Sequence, residues 1–255
     1  MSCIRYLNRV NESMVVRCFF FRCVVALLTM SIASSEPLRI DTIRVAPFGF
    51  VKDDGTSTGF LYELSNRLAE EAGLSSTNQI VPFATMLNRL KEGNSDVSLF
   101  FRSATNDPLV VPVSSLLSLT NVIRGRKGST FDSLDSLHGK TVARVRGARY
   151  AEAFNQDAAI SKRDSQNYRE SIQLLREHRV DAVILPDIGF LYTIKRLGYP
   201  LEEFGEPFIL NSDELWIQYS KVSADADRIA ALKAAAEGLL QDGSIQELLK
   251  KYVAE

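Results

Sequence analysis

Residues 47–74 read PFGFVKDDGTSTGFLYELSNRLAEEAGL, and within this stretch the hydrophobic period changes from that of a strand to that of a helix. Phe48 and Phe50 stand two apart, as on one face of an extended segment. Asp53, Asp54 and Gly55 then tolerate left-handed turn geometry, so the chain can reverse before Gly59. Leu61, Leu64, Leu68 and Ala72 recur at spacings of three and four, the apolar stripe of a helix that closes at Gly73. Strand, turn and helix follow in that order, and a chain that repeats the unit covers its apolar faces by laying helices on a mostly parallel sheet.

The unit recurs. Residues 38–45 alternate as a first strand, Ile80 and Val81 mark a brief second one, and Phe83, Leu87 and Leu90 predict a helix ended by Gly93. The run DVSLFF at 96–101 suits a strand buried on both faces. Residues 121–128 pass out of this first half through strand-like Val122 and Ile123 into the polar GRKGS. A second series predicts a short helix around Phe131, Leu134 and Leu137, a strand at 141–145 and a helix at 148–154. Part of a helix at 171–176, the apolar strand VDAVIL at 180–185 and a helix at 188–197 complete it. Residues 200–207 form a return linker. A strand at 216–219, a long amphipathic helix through Ile229, Leu232, Ala236, Leu239 and Leu240, and a last helix from Ile245 close the chain. The expected fold class is α/β, with two lobes joined by two crossings: 36–121 as the first part of lobe 1, 122–207 as lobe 2, and 208–255 returning to lobe 1. No fixed-period repeat points to a solenoid.

Residues 1–35 have a different character. Arg5, Arg9, Arg17 and Arg22 face one acid, Glu12; residues 23–30 are an unbroken apolar run; Ser31, Ala33, Ser34 and Ser35 follow. A basic region, an apolar core and a small-residue zone read as an export signal, starting at Met1 or at Met14. The run is far shorter than the roughly 20 apolar residues of a spanning helix. All three cysteines, Cys3, Cys18 and Cys23, lie inside this leader, so the mature chain carries no disulfide or thiol chemistry. Without it the 30 basic residues lose four and the 31 acidic residues lose one, a net charge of about −4 that argues against nucleic acid as a partner.

Four segments, in order, resemble the family 3 periplasmic solute-binding proteins, the amino-acid receptors of ABC importers. They are the opening stretch at 47–74, LHGKTVARVRGARYAEAF at 137–154, HRVDAVILPDIGFLYTIKRLG at 178–198, and QDGSIQELLKKYV at 241–253. The resemblance implies a type II periplasmic binding protein-like fold, two hinged lobes that close on a small-molecule ligand, and a membrane partner, an ABC permease or a sensor such as a histidine kinase, that reads the closed form. Periplasmic location and a monomer are expected. Contacts from both lobes are what give a ligand its differential affinity for the closed state.

The resemblance also directs attention to particular residues, and this chain departs from the pattern at three of them. The arginine that grips the ligand carboxylate falls at Asn106, the carboxylate that receives the amine falls at Pro186, and the covering aromatic falls at Val45. Arg102 and Ser103, at the end of the buried strand, are the nearest substitutes for the grip, since open α/β sheets place ligands at strand ends. Asp187 follows the proline and either meets the ligand or caps the helix after it. Phe48 is either a ligand shelf or core. Arg144, Arg146 and Arg149 surround Gly147 at a strand-to-helix turn, where backbone amides and guanidinium groups attract anions; Arg149 aligns with a ligand-binding hydroxyl residue of the family. The expected ligand set is Arg102, Ser103, Arg146, Arg149, Asp187 and Phe48, and the expected ligand is anionic or amino-acid-like.

Catalysis has little support in the sequence. His138 sits in a turn and His178 at a helix end, no His, Cys and acid cluster suggests a metal or a triad, and RGAR lacks the spacing of a nucleotide-binding loop. No cofactor or metal is expected. The fold also hosts periplasmic dehydratases that resemble these receptors, so an enzyme with Asp187 or Glu152 as its acid or base is the alternative.

Overall fold

The computed structural model describes residues 36–148 and 150–253. The strands are β1 (Leu38–Ile43), β2 (Phe50–Val51), β3 (Ser57–Thr58), β4 (Ser76–Val81), β5 (Val97–Phe101), β6 (Val110–Gly125), β7 (Thr141–Val145), β8 (Ser161–Ser165), β9 (Ala182–Pro186) and β10 (Phe208–Ser220). The helices are α1 (Phe60–Glu71), α2 (Phe83–Glu92), α3 (Glu152–Gln156), α4 (Tyr168–Arg176), α5 (Asp187–Arg196), α6 (Ala226–Gln241) and α7 (Ser244–Val253). Eight strands form one sheet in the order β4-β1-β5-β10-β6-β9-β7-β8, and β2 pairs with β3 as a separate hairpin.

The order is built from two equivalent blocks. In β4-β1-β5 and in β8-β7-β9, the first strand of its half lies between the second and the third, and the pairing is parallel. Long antiparallel β6 and β10 join the blocks, β5 pairing with β10 and β9 with β6. The expected boundary at 121/122 falls inside β6, at the rung where Asn121 pairs with Pro186.

The crossing pair holds three register shifts, between Ile209 and Asn211, Leu215 and Trp216, and Ile217 and Gln218. Leu210, Leu116 and Val113 are the residues passed over, and Leu116 and Val113 are buried in the core. Each extra residue bends its strand and increases the local twist. The ribbon therefore turns as it passes from one half to the other.

Local chemistry explains the elements. The stripe Leu61, Leu64 and Leu68 of α1 is buried, and Gly73 at φ 67 ends the helix with Leu74 N–H donating to Ala69 O and Gly73 N–H to Glu70 O. The start of α1 has no side-chain cap at Gly59; the carbonyls of Pro47 and Phe48 accept from Phe60, Leu61 and Tyr62 N–H instead. Gly59 has φ 129, and a Cβ there would lie 2.4 Å from Phe48 O, so glycine is required for this close approach. β5 sends Val97 and Leu99 into the main hydrophobic cluster and Phe100 into a second one with Met86, Leu90 and Val110. β9 is buried throughout, as a strand covered on both faces must be.

Four elements differ from expectation. The crossing strands are much longer than the fragments at 122–123 and 216–219, because cross-strand pairing extends through polar residues. β8, of sequence SKRDS, has no hydrophobic period and exists through its pairing with β7. α3 covers Glu152–Gln156 only, with Phe154 as its single buried residue. No helix among the described residues is long and apolar enough to cross a membrane.

Candidate functional site

The sheet has a step at its centre. β5 ends at Phe101, paired with Leu215, while β10 runs on toward Phe208; on the other side β9 ends at Pro186, paired with Asn121, itself paired with Asn211. The four residues from Leu215 to Asn211 leave a stretch of β10 about 13 Å long, at about 3.3 Å per residue, beyond the end of β5. A solvent-open pocket of about 420 Å³ occupies this step, lined by Phe101 to Ala104, Asp107, Ser212 to Glu214 and Trp216, with Arg102, Ser103, Ala104, Ser212 and Glu214 exposed. That volume lies in the ordinary range of small-molecule sites.

Arg102 is the first residue past the end of β5. Its Nη2 donates to Asp107 Oδ2 at 2.9 Å, and its guanidinium lies 5.3 Å from the Trp216 ring centroid. The turn behind it is fixed by Ser103, whose carbonyl accepts from Asn106 N–H and Asp107 N–H and whose Oγ accepts from Asn106 N–H at 3.2 Å. The hydrogen bond from Arg102 holds the Asp107 carboxyl below its ordinary value, and Asp107 in turn raises Arg102. Trp216 Nε1 donates to Glu214 Oε2 at 3.1 Å. Asp213 Oδ2 accepts from two amides, Asn211 at 2.7 Å and Asn121 at 3.1 Å, and Asn121 is only 4% exposed. One guanidinium therefore shares the cavity with three carboxylates.

The second half presents its own strand ends. Arg146 and Gly147 form an exposed turn after β7, with Gly147 at φ 79 and Arg146 N–H donating to Ser165 O. Arg144 is held by Asp164 at 2.9 Å across the β7 and β8 pair. Arg149 lies outside the described residues. Asp187 does not cap α5: Pro186 occupies the cap position without a side-chain bond, and Asp187, already inside the helix, faces Arg124 Nη2 at 3.3 Å. Arg124 is nearly buried, donates to Gly205 O, lies 4.8 Å from the Phe190 ring centroid, and has no hydrogen-bond partner for its Nε among the described residues.

Of the expected ligand set, Arg102 and Ser103 line the cavity; Phe48, Arg146 and Asp187 do not. Phe48 is 5% exposed in the main cluster, and its backbone caps α1. Sequence reasoning missed Asp107, Asp213, Glu214, Trp216 and the Asn121 amide. The available signal was the charged pair Asp213-Glu214 and the only tryptophan of the chain within a single strand-forming segment.

The two halves also touch away from the cavity. The Tyr192 ring of α5 lies 5.8 Å from Phe50 and 6.2 Å from Tyr252 of α7, centroid to centroid. Tyr252 is anchored in the first half, its hydroxyl accepting from Gly59 N–H at 3.1 Å and donating to Glu63 Oε1 at 2.8 Å.

Comparison with known proteins agrees with this architecture. A probable amino-acid-binding protein, YxeM of Bacillus subtilis, is 24% identical over 217 residues, covering 82% of this chain and 80% of the relative. The L-cystine-binding protein TcyJ of Escherichia coli is 26% identical over 214 residues, covering 81% and 78%. Among solved structures, a mutant of the arginine-binding protein of T. maritima superposes with a TM-score of 0.69 at 21% identity, covering 85% of this chain and 95% of that one. A histidine kinase sensor domain with similarity to periplasmic binding proteins gives 0.71 at 17% identity, covering 86% and 96%. These likenesses establish a type II periplasmic binding protein fold. Residues 38–255 match the bacterial extracellular solute-binding proteins, family 3, and the chain belongs to that family of ligand-binding proteins.

Proposed function

We propose that this protein captures an amino-acid-like solute at the central step of its sheet and closes its two halves around it. The cavity beside Arg102 carries the proposal, because it pairs a guanidinium and the Ser103 hydroxyl, suited to a carboxylate, with carboxylates suited to an ammonium group. A purely anionic solute would meet three acids there. The names of the relatives, an amino-acid-binding and a cystine-binding protein, support the same class. The guanidinium of Arg102 would exchange Asp107 for the solute carboxylate, and Trp216 offers a flat apolar wall.

In this reading the lobes are 36–121 and 122–207, with 208–255 returning to the first, and the bulged segment of β6 and β10 is the hinge. Arg146, Arg149 and Asp187 approach the solute from the second lobe on closure. Residues 1–35 are the export signal that delivers the protein to the periplasm, where it works as a monomer and binds rather than transforms its solute. Its membrane partner is an ABC permease or a membrane sensor.

Native mass spectrometry of the protein purified from the periplasmic fraction tests the reading. One amino-acid-sized solute per chain, and an amino terminus close to residue 36, are expected. A chain that holds no solute, and gives no calorimetric heat with any proteinogenic amino acid or cystine, contradicts it. Turnover of a retained compound would favour the enzyme alternative.

A further inference from the structure

We propose that Asp213 is the specificity-determining residue of this cavity and selects solutes that carry a cationic group beyond the α-ammonium. The inference rests on the solute-binding reading above and adds the charge class of the solute.

The argument begins with what each acid of the cavity already does. Asp107 is neutralised by Arg102, at 2.9 Å. Glu214 accepts the indole N–H of Trp216. Among the described residues Asp213 has no cationic partner; both hydrogen bonds found there come from neutral amides, and both end on Oδ2. Among the described residues its Oδ1 receives none. Asp213 is half-buried on a central strand, between exposed Ser212 and Glu214, and lines the cavity. Leu119, its ladder partner, offers no polar group.

The carboxylate is also held in place. Asn121 is buried, lies on the neighbouring strand, and donates Nδ2 to Asn211 Oδ1 at 3.3 Å as well as to Asp213. Asn211 donates in turn to Asp213 at 2.7 Å. Two amides from two strands fix the rotation of the carboxyl group of this lining residue and leave Oδ1 as an acceptor of set position. With the Arg102 and Asp107 charges cancelling, Asp213 and Glu214 leave two negative charges for the solute to balance. A zwitterion, of net charge zero, offsets neither; a solute with an additional ammonium or guanidinium group, of net charge +1, offsets one of the two. Asn121 and Asn211 are positioning residues that act through Asp213.

Two pairs of probes read this selection directly: L-arginine against the isosteric L-citrulline, and L-lysine against L-norleucine, which lacks the terminal ammonium group. Calorimetric titration of the full mature chain is expected to show the cationic member of each pair bound about tenfold or more tightly. Asp213→Asn should bring the two members of each pair close together, Asp213→Glu should restore part of the preference, and Glu214→Gln should reduce it less. Asn211→Ala, which frees the carboxyl group without removing its charge, should give an intermediate preference. Far-ultraviolet circular dichroism verifies that each variant is folded. If the wild type binds amino acids without preferring the cationic member, or if Asp213→Asn keeps the preference, the inference is overturned and the solute-binding reading stands. If the wild type binds no amino acid, that reading falls and the inference with it.

Discussion

Replacing Tyr252 by phenylalanine tests how the C-terminal helix is fastened to the first half. The Tyr252 hydroxyl accepts from Gly59 N–H at 3.1 Å, donates to Glu63 Oε1 at 2.8 Å, and lies 3.2 Å from Thr58 Oγ1. Burial pushes this hydroxyl up, so it stays protonated and able to donate at any ordinary pH. Phenylalanine keeps the ring, with its edge contact to Phe60 at 6.3 Å and its contact to Tyr192 at 6.2 Å, and removes only the oxygen. Glu63 retains Thr58 and Lys251 as partners. The buried Gly59 N–H, at the start of α1 where no other group caps it, retains nothing. An orphaned buried donor costs about 1–3 kcal/mol. For a domain of this size each kcal/mol lowers Tm by about 2–4 °C, so a loss of about 2–12 °C is expected in a thermal melt followed by circular dichroism. Tyr192→Phe is the control, because no protein hydrogen bond to that hydroxyl occurs among the described residues, and its Tm should not move. A Tyr252→Phe variant that melts within about 1 °C of the wild type would refute the reasoning.

Further outcomes follow from the same geometry. Gly59→Ala places a methyl group against Phe48 O in a backbone conformation that L residues rarely adopt, and should destabilise by more than about 1 kcal/mol in a urea titration. Burial pushes the Asp96 carboxyl up, but hydrogen bonds from Arg39 N–H at 2.9 Å and Arg39 Nε at 3.0 Å, with the Arg39 charge, outweigh it and hold the group below its ordinary value of 3.8. The folded pKa lies below the unfolded one, so this stabilisation is present above about pH 4 and is lost as pH falls through the folded value. Arg39→Ala removes the half-exposed guanidinium but keeps the backbone N–H on Asp96, and should therefore cost about 1–2 kcal/mol at pH 7 and less near pH 3, where the carboxyl is protonated; a cost independent of pH in parallel urea titrations would contradict this. Tyr192→Ala removes the ring between Phe50 and Tyr252 and should expand the solute-free protein in small-angle scattering, whereas an unchanged radius of gyration would show that this contact does not hold the halves together.

Much of this was legible in the sequence where local physics decides. The stripe in α1, the glycine stops at Gly73 and Gly93, the largely apolar strand β5 and the all-apolar strand β9 follow from period and burial alone. The crossing strands were not legible, because segments such as SSLLSLTN and LNSDELW mix polar and apolar residues without one clean period; bulges and exposure on the ribbon break the alternation. Arg102 and Ser103 could be named because a strand end is a position readable from order. Trp216 and Asp213 could not be joined to them, since more than a hundred residues separate them and only the antiparallel pairing of β10 with β5 brings them beside that end. Asp187 was legible as a charge after Pro186, but it opens α5 while its partner Arg124 lies on β6, and pattern alone does not pair the two.

The most direct test of the account uses Trp216, the only tryptophan of the chain, as a reporter at the cavity wall. Titrating the refolded, solute-free protein with amino acids that bind by calorimetry should produce a saturable change in its emission, at the same concentration that half-saturates the heat. Binding that saturates by calorimetry while Trp216 emission stays constant would place the solute elsewhere and contradict the account.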